Sequence, residues 1–553
     1  MQNPLFDRIF LSRLYDRYQL IITFLIVLLA VLLADISLHY VSASILDIPL
    51  FEHMIEREQA TSIPQDLFEA EVWLGALSLI LGTLIIVISI ASQSTPKLID
   101  LYISDQISLF YVWFLVIGTL HSYAIQVMAS TMPHLRVSSV FLNTYIMLPL
   151  SFLMAIPYIL YILKYTKTSN VIAKIQNDNV KRINYLSKQK HYDNFSDKHL
   201  IASYQYRMFE SLNQLDDLLE YVEFKEPKGD IIHKIGQTVR YYVIKKAQIN
   251  PAFFALSERI RNDISFKTMV GQFEEIQHTR IFYEQKAFRL LGNAYIKLIE
   301  NGDFDLASLC AAEISECGAE AIRQKDDALL DAIIVRFNTL LRFGIKHGLR
   351  NGELRNIYNT VFHYSSLINE MVQAGKTAHI RRSCNYLKIY GSEIHRHAQK
   401  EPSFNFLVDV FALALKDILI TLHYKQAEEK LQKEVLDFFL QLDSPPDLSD
   451  TGEVRGVSDG VRVLQVALAL FYLSVEHLAF VDLIIKDLLE DEAILGKEKL
   501  LAGIVATGKR LQKSTPTFWE DTDRGNTNIY YSSHQMFIPV FVERFQKKLQ
   551  TGH

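Results

Sequence analysis

Cysteine is nearly absent from this chain: 553 residues hold three, Cys310, Cys317 and Cys384. An odd, sparse set builds no disulfide framework. There is no Cys-x-x-Cys pair, and the step from Cys310 to Cys317 matches no zinc spacing. We read all three as reduced, partly buried thiols, which suits a cytoplasmic location for the segment that holds them. A strong charge of one sign is missing too. Lys and Arg number 57 against 62 Asp and Glu, a net of -5, and no basic stripe suits nucleic acid. Catalytic signatures are also missing. There is no Gly-x-x-x-x-Gly-Lys-Ser/Thr loop, no Gly-x-Gly-x-x-Gly, no Gly-x-Ser-x-Gly elbow and no His-Glu-x-x-His pair. His395 and His397 stand two apart on an expected helix, where side chains diverge. We therefore expect no enzyme, no bound metal and no cofactor.

What the chain has is apolar length. Four segments are long enough to cross a bilayer core, which takes about 20 apolar residues. They run at about 18–40, 72–91, 107–129 and 137–163. A bilayer satisfies no open backbone group, so each must be a helix. The first resembles a signal peptide at its start, but its apolar run is long and three more spans follow, so no cleavage is expected.

Lys and Arg set the orientation. Arg8, Arg13 and Arg17 precede the first span, and Lys164, Lys167, Lys174, Lys181, Arg182, Lys188 and Lys190 follow the fourth. The loop between the first two spans has only Arg57 among seven acidic residues, and the loop before the fourth has only Arg136. Both termini are expected in the cytoplasm, in a cell inner membrane crossed several times.

Two stretches are distinctive. One runs from Val87 to Tyr123 and carries Ser89, Ala91, Ser92, Pro96, Leu98, Ile99 and Asp105. The other runs from Met132 to Leu142 and carries Pro133, His134 and Leu135, with Ser169, Val171 and Ile172 after the fourth span. Together they resemble an uncharacterised bacterial family of four-span inner-membrane proteins (domain of unknown function twenty-two fifty-four) over roughly residues 20–180. One departure is Lys97, where the family pattern has Arg after the proline. The resemblance implies topology and membrane location, and draws attention to the cytoplasmic loop residues Pro96, Lys97 and Asp105.

Polar residues within the spans are few. His121 is the main suspect, because ionisable groups inside a membrane mark function by default. Gln126, Asn143, Ser89 and Ser92 complete the intramembrane set. Asp35 is set aside as lying near the outer end of its span, within reach of water. Trp73 and Trp113 are read as interface anchors.

Residues 164–196 read as a basic linker helix continuing from the fourth span, suited to an anionic leaflet. From 197 to 443, amphipathic runs alternate with short breaks at Pro227–Gly229, Asn250–Pro251, Asn301–Asp303, His347–Gly348 and Glu401–Pro402. Expected helices include 230–247, 251–263, 326–347 and 403–440, the last broken near His423. The pattern suggests a solenoid-like array without a strict repeat signature. A linker loop follows at 444–460, then a helical subdomain at 461–553 with an expected core helix over 461–489. Its polar segment 515–535 carries Trp519, Glu520, Asp521, Asp523, Arg524 and Asn526. Hard-cation binding there is weighed against a capping and docking loop, and the spacing is not that of an EF-hand.

The expected architecture is all-α: a four-helix transmembrane bundle, then a large cytoplasmic helical domain. Three functions follow from it. The first is a membrane-anchored sensor or protein-binding scaffold with a cytoplasmic protein partner. The second is a homo-oligomeric ion channel or transporter gated by the cytoplasmic domain. The third is an enzyme using the 515–535 loop.

Overall fold

The computed structural model describes residues 4–45, 70–94, 106–131, 138–188, 197–267, 269–443, 459–517 and 528–551. Among the described residues the regular elements are all helices. The chain forms two compact units: Met1–Lys181 with His191–Ile231, and Arg182–Lys190 with Ile232–His553.

The first unit contains α1 (Pro4–Ile45), α2 (Ala70–Ser94), α3 (Gln106–Thr131) and α4 (Leu148–Thr166). Three apolar stretches are long enough to cross a membrane: Leu20–Val41, Ile107–Val127 and Ser138–Lys164. In α2 the apolar stretch among described residues is shorter, Glu71–Thr83. Helix α3 packs on α1, α2 and α4. Leu25, Leu29 and Leu33 of α1, Leu79 and Ile86 of α2, and Leu153, Ile156 and Leu160 of α4 point outward, exposed. Apolar faces that wide are a liability in water and at home in lipid. Just before α4, residues Leu142–Met147 form a π turn, with the Leu148 amide donating to the Asn143 carbonyl. After α4 the backbone turns extended at Lys167 (ψ 121°), so α5 (Thr168–Ser187) is a separate helix and not a continuation of the fourth span. It buries Val171, Ile172, Ile175, Ile183 and Leu186 along one face.

Next come α6 (Lys198–Tyr221) and α7 (Lys225–Lys246). Pro227 was expected in a break but sits in the first turn of α7, where a missing amide costs nothing. The expected helix at 251–263 is instead a 3-10 turn, Pro251–Phe254, and a short helix, Glu258–Arg261. Phe253 and Phe254 pin that segment by packing on Phe282, with ring centroids at 5.8 and 6.3 Å.

From there the second unit is a run of helix pairs. They are α8 (Phe282–Glu300), α9 (Phe304–Arg323), α10 (Asp327–Asn351), α11 (Arg355–Gln373), α12 (Thr377–Ala398), α13 (Asn405–Tyr424), α14 (Glu429–Leu440) and α15 (Asp459–Ser474). Helices α8, α10, α12 and α14 pack side by side in one layer, and α9, α11, α13 and α15 in a second. Three longer helices follow among the described residues, α16 (Leu478–Glu490), α17 (Lys497–Lys513) and α18 (Ile538–Thr551), with a single helical turn at Glu492–Leu495 between the first two. The expected 461–489 helix is thus split between α15 and α16.

A recurring turn spaces the pairs. Lys325, Gly375, Gln426 and Glu476, some fifty residues apart, all adopt left-handed φ between 51° and 67°. In each case the next amide reaches back five residues: Asp326 to Ala321, Lys376 to Met371, Ala427 to Leu422 and His477 to Tyr472, at 2.9–3.0 Å. These are Schellman caps, which satisfy the last helical carbonyls. Only one of the four uses glycine. The other three hold a Cβ in a conformation that costs about 1–2 kcal/mol. Gln426→Gly is therefore expected to stabilise the chain by about 0.5–1 kcal/mol, net of glycine's freer unfolded state. Thermal denaturation checks it; a lower midpoint would mean the Gln426 side chain contributes contacts that outweigh the strain.

Polar clusters lock the layers. Glu313 of α9 accepts from Arg240 (2.5 Å) and pairs with His233 (2.7 Å), both on α7. Gly236 makes room for this: a Cβ there would fall 2.0 Å from the Glu313 carboxylate. Lys246 Nζ lies 2.9 Å from Glu284 and 2.7 Å from Asp326. Burial pushes the Glu284 carboxyl above its ordinary value, with Lys246 opposing. Burial alone would lower Lys246, but Glu284 and Asp326 outweigh it and hold the ammonium above its usual range. Cys310, Cys317 and Cys384 are free and fully buried, and burial pushes each thiol up.

Candidate functional site

The apolar helices α1 to α4 and the π turn before α4 carry one continuous polar network. Trp73 of α2 donates its indole Nε1–H to Asn143 Oδ1 at 2.7 Å. That contact fixes the amide: Oδ1 accepts, so Nδ2 is the donor. Asn143 Nδ2 reaches the Gly118 carbonyl at 3.2 Å and His121 Nδ1 at 3.0 Å. With Nδ1 accepting, the ring proton belongs on Nε2. His121 Nε2 faces Asp35 Oδ2 of α1 at 3.4 Å, and Ser139 Oγ donates to the same oxygen at 2.7 Å. The other carboxylate oxygen, Asp35 Oδ1, is buried and has no hydrogen-bond partner among the described residues.

Local structure explains why these residues meet. Gly118 and His121 lie one turn apart on α3 and so share a face. A Cβ at 118 would strike the Trp73 ring at 2.3–2.6 Å, so only glycine lets the indole lie across α3 and reach Asn143. Asn143 sits in the π turn, an element found in single turns and often at functional sites.

His121 is 8% exposed and Asn143 5%, so both expected residues are inside the bundle and bonded to each other. Asp35 corrects the expectation that set it aside: its side chain is 16% exposed and it is His121's partner. Trp73, read as an interface anchor, is 1% exposed. Ser139 and Gly118 were not singled out, and no periodicity in the sequence marks them. Gln126 and Ser89 lie exposed on the surface of their helices. The Ser92 side chain and Pro96, Lys97 and Asp105 fall outside the described residues.

The polar segment's Trp519, Glu520, Asp521, Asp523, Arg524 and Asn526 also fall outside them, at 518–527. Its flanks are tied down. The Asn528 amide donates to the Pro516 carbonyl at 2.9 Å, and Gln535 Nε2 to the Ser514 carbonyl at 3.0 Å. Tyr530 OH donates to Asp409 at 2.6 Å. Burial lifts Asp409 to about 6, against the pull of Tyr530 and Arg510. Among the described residues no group of three or more His, Cys, Asp or Glu could hold a metal ion.

The network offers an ionisable pair, a carboxylate oxygen without a donor among the described residues and a chain of directed hydrogen bonds, all between apolar helices. Such an arrangement can accept a proton or one small cation at Asp35 and pass the change to Trp73 through His121 and Asn143. No family model, curated protein or solved structure matches this chain.

Proposed function

We propose that this chain is a four-span inner-membrane sensor, read at the Asp35–His121–Asn143–Trp73 network, with a solenoid-like cytoplasmic domain as its protein-binding output. The observation that carries the reading is the His121–Asp35 pair, held between spanning helices with Asp35 Oδ1 unpartnered. In the orientation implied by the Lys and Arg distribution, Asp35 lies about 9 Å from the outer end of Leu20–Val41, at 1.5 Å per residue. Trp73 begins its span, and Asn143 lies early in its own. The stimulus would then arrive from outside the cell. The resemblance to the four-span family supports α2 as the second of four spans, beside the three longer apolar stretches. The two-layered helix pairs with fifty-residue turns support the solenoid, whose long surfaces suit protein partners. The second reading is an oligomeric cation pathway through the same pair, favoured by the same open carboxylate oxygen.

Purified protein in liposomes separates the two. For a sensor, protons or monovalent cations added outside change the tryptophan emission of the wild type. His121→Ala and Asp35→Asn abolish that change, and no protein-dependent ion flux is seen. Flux that depends on the protein and changes in His121→Ala would replace the sensor with the channel. Neither response, in folded and inserted protein, would reduce the network to helix-packing polar contacts and defeat both.

A further inference from the structure

The segment Asn528–Phe537, which leads into α18, is fastened to the helical domain through a carboxylate that burial works against. This junction is independent of the intramembrane reading. Asp409 of α13 is 4% exposed. Its Oδ2 accepts from Tyr530 OH at 2.6 Å, while Oδ1 is buried with no hydrogen-bond partner among the described residues. Gly460, in the first turn of α15, lets the carboxylate lie against that turn: a Cβ there would fall 2.0–2.2 Å from its atoms. Arg510 of α17 lies over the Tyr530 ring, 4.5 Å from its centroid, and makes no ion pair with Asp409. Further along the segment, the His534 ring lies 5.6 Å from Phe471 of α15.

Among the described residues, three titratable or charged groups act on Asp409. Tyr530 in the segment and Arg510 on α17 favour its ionised form; Asp459, at the start of α15, opposes it. Arg462 of α15 is turned to Asp491 at 3.1 Å and Asp459 at 3.6 Å. On α13 itself, Lys416 and Asp417 stand two turns away and pair with each other at 3.4 Å. Helices α11, α12 and α14 also pack on α13 but bring no group that acts on Asp409. Burial is the largest influence and lifts the carboxyl from 3.8 to about 6. The closed segment therefore holds a group that favours its proton, and opening gives Oδ1 to water. A carboxyl raised in the closed form contributes stability that is complete below its ordinary value and is lost as pH rises through its closed value. His534 works the other way: burial lowers it, so its contribution is lost as pH falls through its ordinary 6.5.

We propose that the Asp409–Tyr530 junction is a proton-operated strap, which fastens Asn528–Phe537 to α13 and α15 when the surroundings acidify and lets it lift near neutral pH. The test is hydrogen exchange of the full-length protein in detergent from about pH 4.5 to 8, corrected for intrinsic rates. The reporting amides are Tyr531 and Phe537, bonded to the Asn528 and His534 carbonyls at 3.0 and 3.1 Å. In the wild type the opening constant should rise by up to about tenfold per pH unit, the slope of one proton, and level off above about 6. Asp409→Asn keeps the shape without the charge and should lose that rise, leaving only the opposite trend of His534. Tyr530→Phe removes a donor that favours the ionised form, so the levelling-off should move to higher pH. Asp459→Asn removes a like charge and should move it to lower pH. A purely structural contact would change how often the segment opens and leave that break where it is. The proposal is overturned by opening that is flat with pH, by an Asp409→Asn slope matching the wild type, or by a break that neither Tyr530→Phe nor Asp459→Asn moves.

Discussion

Lys246→Met is expected to cost the helical domain about 3–5 kcal/mol, because it leaves buried charge without its partner. The ammonium lies between Glu284, which is fully buried, and Asp326, which also caps α10 by accepting from the Leu329 amide at 3.1 Å. Methionine fills the volume but leaves a carboxylate in an apolar site between α7, α8 and α10. The cost should depend on pH. Glu284 already sits above its ordinary value of 4.5, and losing Lys246 removes the main force holding it down. A carboxyl raised on folding contributes stability that is complete below its unfolded value and is lost as pH rises through its folded value. The mutant's deficit should therefore be largest at neutral to alkaline pH and shrink as pH falls toward 4.5. Lys246→Met with Glu284→Leu should recover much of the loss, since apolar replacement of both partners removes the stranded charge. Denaturation midpoints of the three proteins across pH decide the matter. A loss under about 1 kcal/mol, flat with pH, would mean water reaches Glu284 and the cluster is ordinary surface electrostatics.

In the bundle, the largest effect should come from Asn143→Leu. One side chain accepts from Trp73 and reaches both Gly118 and His121. Interhelical hydrogen bonds in membranes are worth about 0.6–1.7 kcal/mol each, so losing three should cost about 2–5 kcal/mol. Ser139→Ala, which removes the hydroxyl bonded to Asp35, gives a comparison at the far end of the network. Unfolding in graded detergent, followed by helix content and tryptophan emission, measures both. If Asn143→Leu is no worse than Ser139→Ala, the network is loosely coupled and cannot relay a change from Asp35 to Trp73.

How legible this was depends on what each feature needs from distant residues. Three helices long and apolar enough to cross a membrane could be read because apolar length and missing charge are local properties. Helix ends at Gly302 and Gly375 could be read because glycine signals the left-handed turn. The same turn at Lys325 and Glu476 carries no such signal, since helix packing imposes the conformation on residues that do not prefer it; hence the split between α15 and α16 was invisible. The fifty-residue spacing stayed hidden for the same reason: it lies in backbone geometry, not in residue identity. Within the site, His121 stood out as an ionisable group in an apolar run. Asn143 stood out with it as a polar residue in an apolar run, but the link to Asp35 and Ser139 did not, because Asp35 is 86 positions from His121 and Ser139 is 104 positions from Asp35. Only the packing of α1 against α3 brings them together, and Asp35 was misjudged because depth along a helix says nothing about which side it faces.

The π turn at Leu142–Met147 divides the apolar stretch Ser138–Lys164 into two registers. One residue more than an α turn advances everything after it by about 100° around the axis. Ser139 before it and Asn143 at its start are aimed at Asp35, His121 and Trp73. After it, the Ser151 carbonyl takes the Tyr111 hydroxyl at 2.8 Å, and Tyr158 packs on the Tyr111 ring with centroids 4.6 Å apart. An uninterrupted α-helix aligned with the first set would swing the second away from Tyr111. The extra residue lets a single rod address two different neighbourhoods at two depths, and shortening the turn by one position would keep either phase at the expense of the other.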